Sequence, residues 1–268
     1  MELQRSLSDY ERGGIVVFAI SYDPVDALAI FAEKYGITFH LLADEGSAVI
    51  ERLGLLNTYV QEHHAFYGIP PLDMVVGVPY PGAFILDEHG IIVDKRFQSS
   101  FRERETGSGL LEAGFGQHGL IHGAEVTAER ERLTIRAYLD SDTYRSMQRL
   151  RLTIDLTIAP GFHAYGQPIP EGYTPLTIAV DPIDGLEIGD LEARAPAPFR
   201  VDGLDEQFMV YEGTVSLALP LTFTRRLGDL RIRAMVSYQL CSETECLPSV
   251  STEIEVPVQQ ISHIERDV

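Results

Sequence analysis

The chain has 268 residues, 45% of them hydrophobic, and a formal net charge of −19. This length exceeds what one compact core needs and suits two domains, while acidity without a basic cluster disfavours nucleic-acid and anionic-lipid partners. No apolar run approaches the length of a membrane span, and the first dozen residues are too polar for the core of a secretory signal.

Leu3, Leu7 and Tyr10 recur at helical spacing until Gly13-Gly14 ends the pattern, so the chain opens in a helix. Residues 15–20, Ile-Val-Val-Phe-Ala-Ile, form a continuous apolar run of strand length, suited to a sheet covered on both faces. Asp23 is the expected cap of a helix with Pro24 at its first position, Ala27, Ile30, Phe31 and Tyr35 on one face, and Gly36 at its end. A strand is expected over residues 39–42, and Asp44 leads into a short helix carrying Val49, Ile50 and Leu53. Beyond an excursion from Asn57 to Val78, residues 81–94 read as two strands around the turn Asp87-Glu88-His89-Gly90. Strand, helix, strand, helix, hairpin is an α/β order. His63, His64 and Tyr67 lie in the excursion, but no further clustered ligand completes a metal site, and none is expected.

Residues 101–119, with Arg102, Glu103, Arg104, Glu105 and five glycines, read as an interdomain linker. From about Leu120 the pattern changes to short strands at 133–139, 149–158, 176–180, 210–219, 230–238 and 251–258, separated by Pro/Gly turns. Such spacing predicts an antiparallel β-sandwich over residues 120–260.

Both cysteines of the chain, Cys241 and Cys246, lie in one stretch, with four residues between them. Ser242-Glu243-Thr244-Glu245 is turn-like and Pro248 cannot donate to a ladder, so the segment reads as strand, tight turn, resumed strand. Such a turn can bring two Cα atoms within disulfide reach. From spacing alone an inert staple, two unpaired thiols and a redox pair are all open. A bridge across so short a loop stabilises by only about 2 kcal/mol in the loop-closure model, a weak reason for its presence.

The string Tyr238-Gln239-x-Cys241-x-x-x-x-Cys246-Leu247-Pro248 resembles the active-site hairpin of the amino-terminal domain of DsbD-type thiol:disulfide interchange proteins. The resemblance extends through residues 159–165, Ala-Pro-Gly-Phe-His-Ala-Tyr, and through Asp205-Glu206-Gln207-Phe208 with Tyr211-Glu212-Gly213-Thr214-Val215. It implies an immunoglobulin-like sandwich that carries the cysteine pair under an aromatic shield, with Phe208 the candidate shield and Tyr211 the second. His163, Tyr165 and Tyr238 flank that site and are the remaining candidates for partner contact. The resemblance further implies a relay in which Cys241 and Cys246 alternate between dithiol and disulfide, Cys246 being the sulfur attacked. No cofactor is needed, and the implied partner is a thioredoxin-like protein with its own reactive cysteine pair. The family expectation for the sandwich is the cell envelope.

A second resemblance covers residues 1–100. Ala19-Ile20-Ser21-Tyr22-Asp23, Gly36-Ile37-Thr38-Phe39 with Leu42-Ala43-Asp44, and Pro81-Gly82-Ala83-Phe84-Ile85-Leu86-Asp87 are similar to a redoxin of the peroxiredoxin (AhpC/TSA) family. It implies an incomplete thioredoxin-like domain, with Pro81 at the place of the family's cis-proline. The family's peroxidatic cysteine would sit just upstream of a segment like Glu2-Leu3-Gln4, and residues 1–240 hold no cysteine. Peroxide reduction needs a thiolate, so this half lacks the family's chemistry by itself. The strand implied before the catalytic helix is also lacking, which predicts either re-paired neighbours or a weakly stable half. Two further readings stand beside the relay: a non-catalytic module that binds a thioredoxin-like partner through a structural disulfide, and a piece of a peroxiredoxin-type oxidoreductase.

Overall fold

The opening periodic stretch folds as α1 (Glu2–Arg5) and α2 (Leu7–Arg12), divided at Ser6, whose carbonyl accepts from the amides of Asp9 and Tyr10. In this computed structural model the chain is described over residues 2–60, 62, 65, 77–97, 104–107, 109–111, 123–200 and 207–261. His63, His64, Tyr67, Asp205 and Glu206 therefore lie outside the described residues. The chain divides into two units, Met1–His118 and Gly119–Val268.

In the first unit β1 (Phe18–Ser21) pairs in parallel with β2 (His40–Ala43), and α3 (Val25–Tyr35) supplies the crossover that a parallel pair requires. Pro24, not Asp23, holds the cap position of α3, at φ −68° and ψ 159°. A proline has no N–H to leave unpaired there, and Asp23, one residue earlier, instead accepts the Ser21 hydroxyl at 2.5 Å. Gly36 ends the helix at φ 62°, a left-handed conformation that glycine adopts without a Cβ clash. Asp44 accepts the amides of Val49 and Ile50 at the start of α4 (Ala48–Arg52). The expected hairpin is β3 (Gly82–Leu86) and β4 (Ile92–Phe97), turned by an Asp87 carboxylate that accepts from the amides of His89 and Ile91 at 2.9 Å each. The Tyr80–Pro81 bond is trans, and the cis peptide of the described residues is Gln167–Pro168. Part of the stretch read as a linker is packed: β5 (Arg104–Glu105) precedes buried Thr106, and Gly107 accepts the Tyr10 hydroxyl at 2.6 Å.

Among the described residues β1 pairs only with β2 and β3 only with β4, so the unit holds two separate two-stranded sheets. The run expected to be covered on both faces is open, with Val16 67% and Phe18 58% exposed. Helix α3 buries none of its residues, and Ile30 on its apolar face is 66% exposed. A two-stranded sheet is too narrow to bury the apolar stripe of a helix, which is why the periodicity is present and the burial is not.

The second unit opens with β6 (Glu125–Arg130), β7 (Leu133–Leu139), β8 (Thr143–Tyr144), β9 (Gln148–Ile158) and β10 (His163–Tyr165). It continues with β11 (Thr177–Val180), β12 (Leu186–Ile188), β13 (Glu192–Ala193), β14 (Ala197–Arg200) and β15 (Gln207–Tyr211). The last strands are β16 (Thr214–Phe223), β17 (Leu230–Tyr238), β18 (Leu240–Cys241) and β19 (Val250–Gln260). One sheet runs β12-β16-β9-β7-β6, with β13 also on β16; a second runs β11-β17-β19-β8, antiparallel except for the β19–β8 pair. Their inner faces make the core by strict alternation: Ile135, Ala137 and Leu139; Leu152, Ile154 and Leu156; Ile232, Ala234 and Val236; Ile254, Val256 and Val258. Each such leucine, isoleucine or valine contributes about 1.5–3 kcal/mol when fully buried. This is the expected immunoglobulin-like sandwich.

Pro220 sits inside β16, where it can be tolerated because of what lies beside it. Its carbonyl accepts from Gly189, between β12 and β13, so the N–H it lacks faces the gap between those two short strands. Residues 210–219, read as one strand, are two: Gly213 at φ 64° breaks the run, and the chain moves from the sheet of β15 to that of β16. The third sheet, β14-β15-β10-β18, carries both the cysteine pair's first member and most of its surroundings.

Candidate functional site: a bridged cysteine pair under an aromatic cluster

After Tyr238 the chain leaves β17, and two residues later it is paired with β10 as β18. Gln239, at the change of sheet, fixes the path: its carbonyl oxygen accepts the Thr174 amide at 3.1 Å, and its amide donates to the Leu247 carbonyl at 3.2 Å. Residues 242–245 then reverse the chain. The Ser242 amide donates to the Glu245 carbonyl and the Leu247 amide to the Leu240 carbonyl, both at 2.8 Å. The Ser242 hydroxyl accepts the Glu245 amide at 3.1 Å, the local side-chain bond that makes serine a turn former. Cys241 and Cys246 thereby stand opposite each other and are joined, with an S–S distance of 2.04 Å and Cα atoms 4.1 Å apart.

The two cysteines differ in exposure. Cys241 is 1% exposed, whereas Cys246, past the turn, is an exposed residue. What covers Cys241 follows from the period of two along short strands. Ala164 points into the sandwich core beside its register partners Tyr211 and Leu240, so His163 and Tyr165 take the opposite face. On that face His163 stands across from Cys241, Tyr165 from Val210, and Phe199 from Phe208. Cys241, Tyr165, Phe208 and Val210 form one buried cluster, with Ile169, Tyr173 and Phe199 packed against it. Phe208 is 1% exposed, its ring 5.4 Å from that of Tyr165 and 5.1 Å from that of Tyr173.

The Tyr165 hydroxyl lies 3.7 Å from Cys246 Sγ. Burial, with the neighbouring Tyr173 adding to it, pushes this phenol up to about 12, so at neutral pH it is protonated and can donate. His163 is buried, and among the described residues its Nε2 has no hydrogen-bond partner. Burial holds its basicity below the ordinary imidazole range, opposed by the charge of Glu212, so the ring is neutral at pH 7.

Of the site residues expected from sequence, the structure thus brings together Cys241, Cys246, Phe208, Tyr165 and His163. Tyr211 and Tyr238 are placed elsewhere, in the sandwich core on the other side of the sheet. Tyr173 and Phe199 join the site unforeseen. Tyr173 belongs to a Gly-Tyr-Thr-Pro stretch that reads as a plain turn, and the Leu176 amide bonding to the Tyr165 carbonyl at 2.6 Å, with the Thr174 amide on Gln239, brings that segment beside β10. Among the described residues no group of three His, Cys, Asp or Glu side chains is arranged to hold a metal, and no helix is long and apolar enough to cross a membrane.

Two family models match the chain in sequence. Residues 1–95 match the AhpC/TSA family, and residues 136–257 match the amino-terminal domain of the thiol:disulfide interchange protein DsbD. No curated protein matches the chain. Among solved structures, the DsbD amino-terminal domain of Neisseria meningitidis in its reduced form is 22% identical, over 40% of this chain and 77% of that one, with a TM-score of 0.30. The amino-terminal periplasmic domain of ScsB from Proteus mirabilis is 16% identical, over 51% of this chain and 50% of that one, with a TM-score of 0.37. A complex of the Neisseria meningitidis DsbD and PilB amino-terminal domains gives 21% identity, over 39% of this chain and 73% of that one, with a TM-score of 0.30. A redoxin-like segment followed by a DsbD-like sandwich, together with a bridged cysteine pair, points to thiol–disulfide redox chemistry.

Proposed function

We propose that the chain is an electron relay that exchanges its Cys241–Cys246 disulfide with a thioredoxin-like partner carrying its own cysteine pair. The observation that supports this reading most is the unequal exposure of the two cysteines: Cys246 is an exposed residue, and Cys241 is buried in one cluster with Phe208 and Tyr165. Thiol–disulfide exchange depends on which sulfur can be reached. A partner thiolate attacks Cys246 Sγ, the Cys241–Cys246 bond breaks, and its electron pair leaves on Cys241. The partner's second thiolate then attacks its own bridged sulfur and releases Cys246 as a thiolate, so that two electrons have passed to this chain. The Tyr165 hydroxyl, protonated and close to Cys246, donates a hydrogen bond to that thiolate; bonds to charged groups are the stronger ones. Every reacting atom is sulfur or a proton, and the relay requires no organic cofactor.

The test is exchange with reduced thioredoxin as the donor. Cys241→Ser and Cys246→Ser should each leave the sandwich folded and abolish turnover; parental rates in both would overturn the relay. A second reading, a binding module with a structural bridge, is favoured by the depth of Cys241. The reduction potential separates the two: about −120 to −270 mV marks an exchange protein and below about −300 mV a structural bridge.

A further inference from the structure

A histidine inside the aromatic cluster has no role in the steps above. His163 is 3% exposed, and among the described residues its Nε2 has no hydrogen-bond partner. Leaving a buried polar atom unpaired forfeits its hydration without replacing it, so such an atom in a site calls for a reason. The ladder supplies one. His163 is the register partner of Cys241, and side chains directly opposite on one face of an antiparallel pair have Cβ atoms about 4.5–5.5 Å apart. In the disulfide state Cys241 carries no proton to offer. In the dithiol state its S–H is a donor on the residue directly across the ladder from His163, whose Nε2 offers a lone pair in the tautomer protonated at Nδ1.

We propose that His163 is the proton acceptor for the Cys241 thiol. The inference rests on the relay reading and concerns its return half-reaction, in which this chain reduces a disulfide. Once Cys246 is joined to a partner sulfur, the Cys241 thiol passes its proton to His163 and the thiolate attacks Cys246 Sγ. The Cys241–Cys246 bond forms, the Cys246–partner bond breaks, and the electron pair leaves on the partner sulfur, which takes up a proton from water. The imidazolium then loses its proton to water, and the dithiol has become a disulfide as the partner disulfide becomes a dithiol. In the opposite direction the departing Cys241 takes a proton through the same imidazole, which recovers it from water.

A base is needed at this sulfur because Cys241 is enclosed: burial in apolar surroundings disfavours the thiolate, the attacking form. The imidazole is suited to the task because its own surroundings keep it neutral. Phe199, 4.5 Å away between ring centroids on β14, carries no charge, and Tyr165 on its own strand is a protonated phenol. Glu212, beyond β15, is the acidic group that acts on it among the described residues, and burial outweighs that charge.

The experiment mixes the reduced full chain with dithiobis(nitrobenzoate) in a stopped-flow instrument. Attack by Cys246 releases one thionitrobenzoate, and closure by Cys241 releases the second. With Cys241→Ser only the first phase should remain; if the parent itself shows no second phase, the relay reading fails and this inference falls with it. Given two phases in the parent, His163→Gln should leave the first unchanged and slow the second by about 100-fold at pH 7, the lower end of what a positioned base contributes. The second phase of the parent should become independent of pH above the histidine's ionisation, while that of the variant should keep rising tenfold per unit towards the thiol's. If His163→Gln does not fold, the parent's profile alone decides. A second phase that rises tenfold per unit from pH 6 to 9 in the parent, or that is equally fast in the variant, overturns the role of His163 and leaves the relay standing.

Discussion

The two units are built from sequence of similar apolar character and end in opposite states. In the second, long strands such as β9 and β17 carry buried residues at every second position, and two sheets close over Leu152, Ile154, Val236 and Val256. In the first, strands of equal apolarity stand in sheets of two, and Val16, Phe18, Ile30 and Leu42 face solvent. After residue 123 the large exposed apolar side chains among the described residues are Ile188, Leu191 and Val250 alone. The difference teaches that apolar content does not make a core. An apolar face is buried only when enough strands are joined side by side to present an opposing surface.

Hydrogen exchange gives the largest expected contrast. Amides of β7, β9, β16, β17 and β19 should open only with global unfolding, whereas those of β1 and β2 should open locally, with protection lower by about a thousandfold or more. Equal protection in both units of a monomer would break the comparison. Paired substitutions sharpen it. Leu152→Ala, at a site with no solvent exposure, should cost about 2–5 kcal/mol in urea unfolding of the sandwich. Phe18→Ala, at an exposed site, should change stability by about 0.5 kcal/mol or less, and a loss matching that of Leu152→Ala would show that β1 is covered in solution. The smallest expected effect lies within the second unit. Phe208→Ala removes the ring packed on Cys241 and should speed reductive opening of the bridge about tenfold, because access to sulfur sets exchange rates. An unchanged rate would make Phe208 core filling and nothing more.

The elements best legible in sequence are those whose alternation matches their burial. The expected strands at 133–139 and 230–238 coincide with β7 and β17 residue for residue, because in each every second residue is buried in the core. The 210–219 stretch was illegible as two strands, since its apolar residues run on across Gly213 while the chain changes sheet. β10 carries no readable pattern at all: it is three residues long, and His163, Ala164 and Tyr165 are all buried because it has one face on the core and the other on the aromatic cluster. Its histidine and tyrosine could be named only through the likeness of the surrounding string to a family, which does not say which way a ring points.

The sequence by itself determined that residues 241–246 turn back on themselves and that both sulfurs lie there, because a serine-led turn of four residues is a local matter settled by neighbours in the chain. It determined the alternation of the long strands for the same reason, since each residue's side follows from its parity. Only the tertiary structure decided that Cys241 is buried and Cys246 exposed, and that Tyr165 reaches the outer sulfur. It alone also decided that Tyr173 and Phe199 complete the cluster while Tyr211 and Tyr238 turn to the core. Those outcomes depend on which strands pair, and β18 meets β10 across more than seventy residues of intervening chain. A pairing register is fixed by the summed burial of two distant segments, and shifting it by one residue would send His163 and Tyr165 into the core and Ala164 to the disulfide.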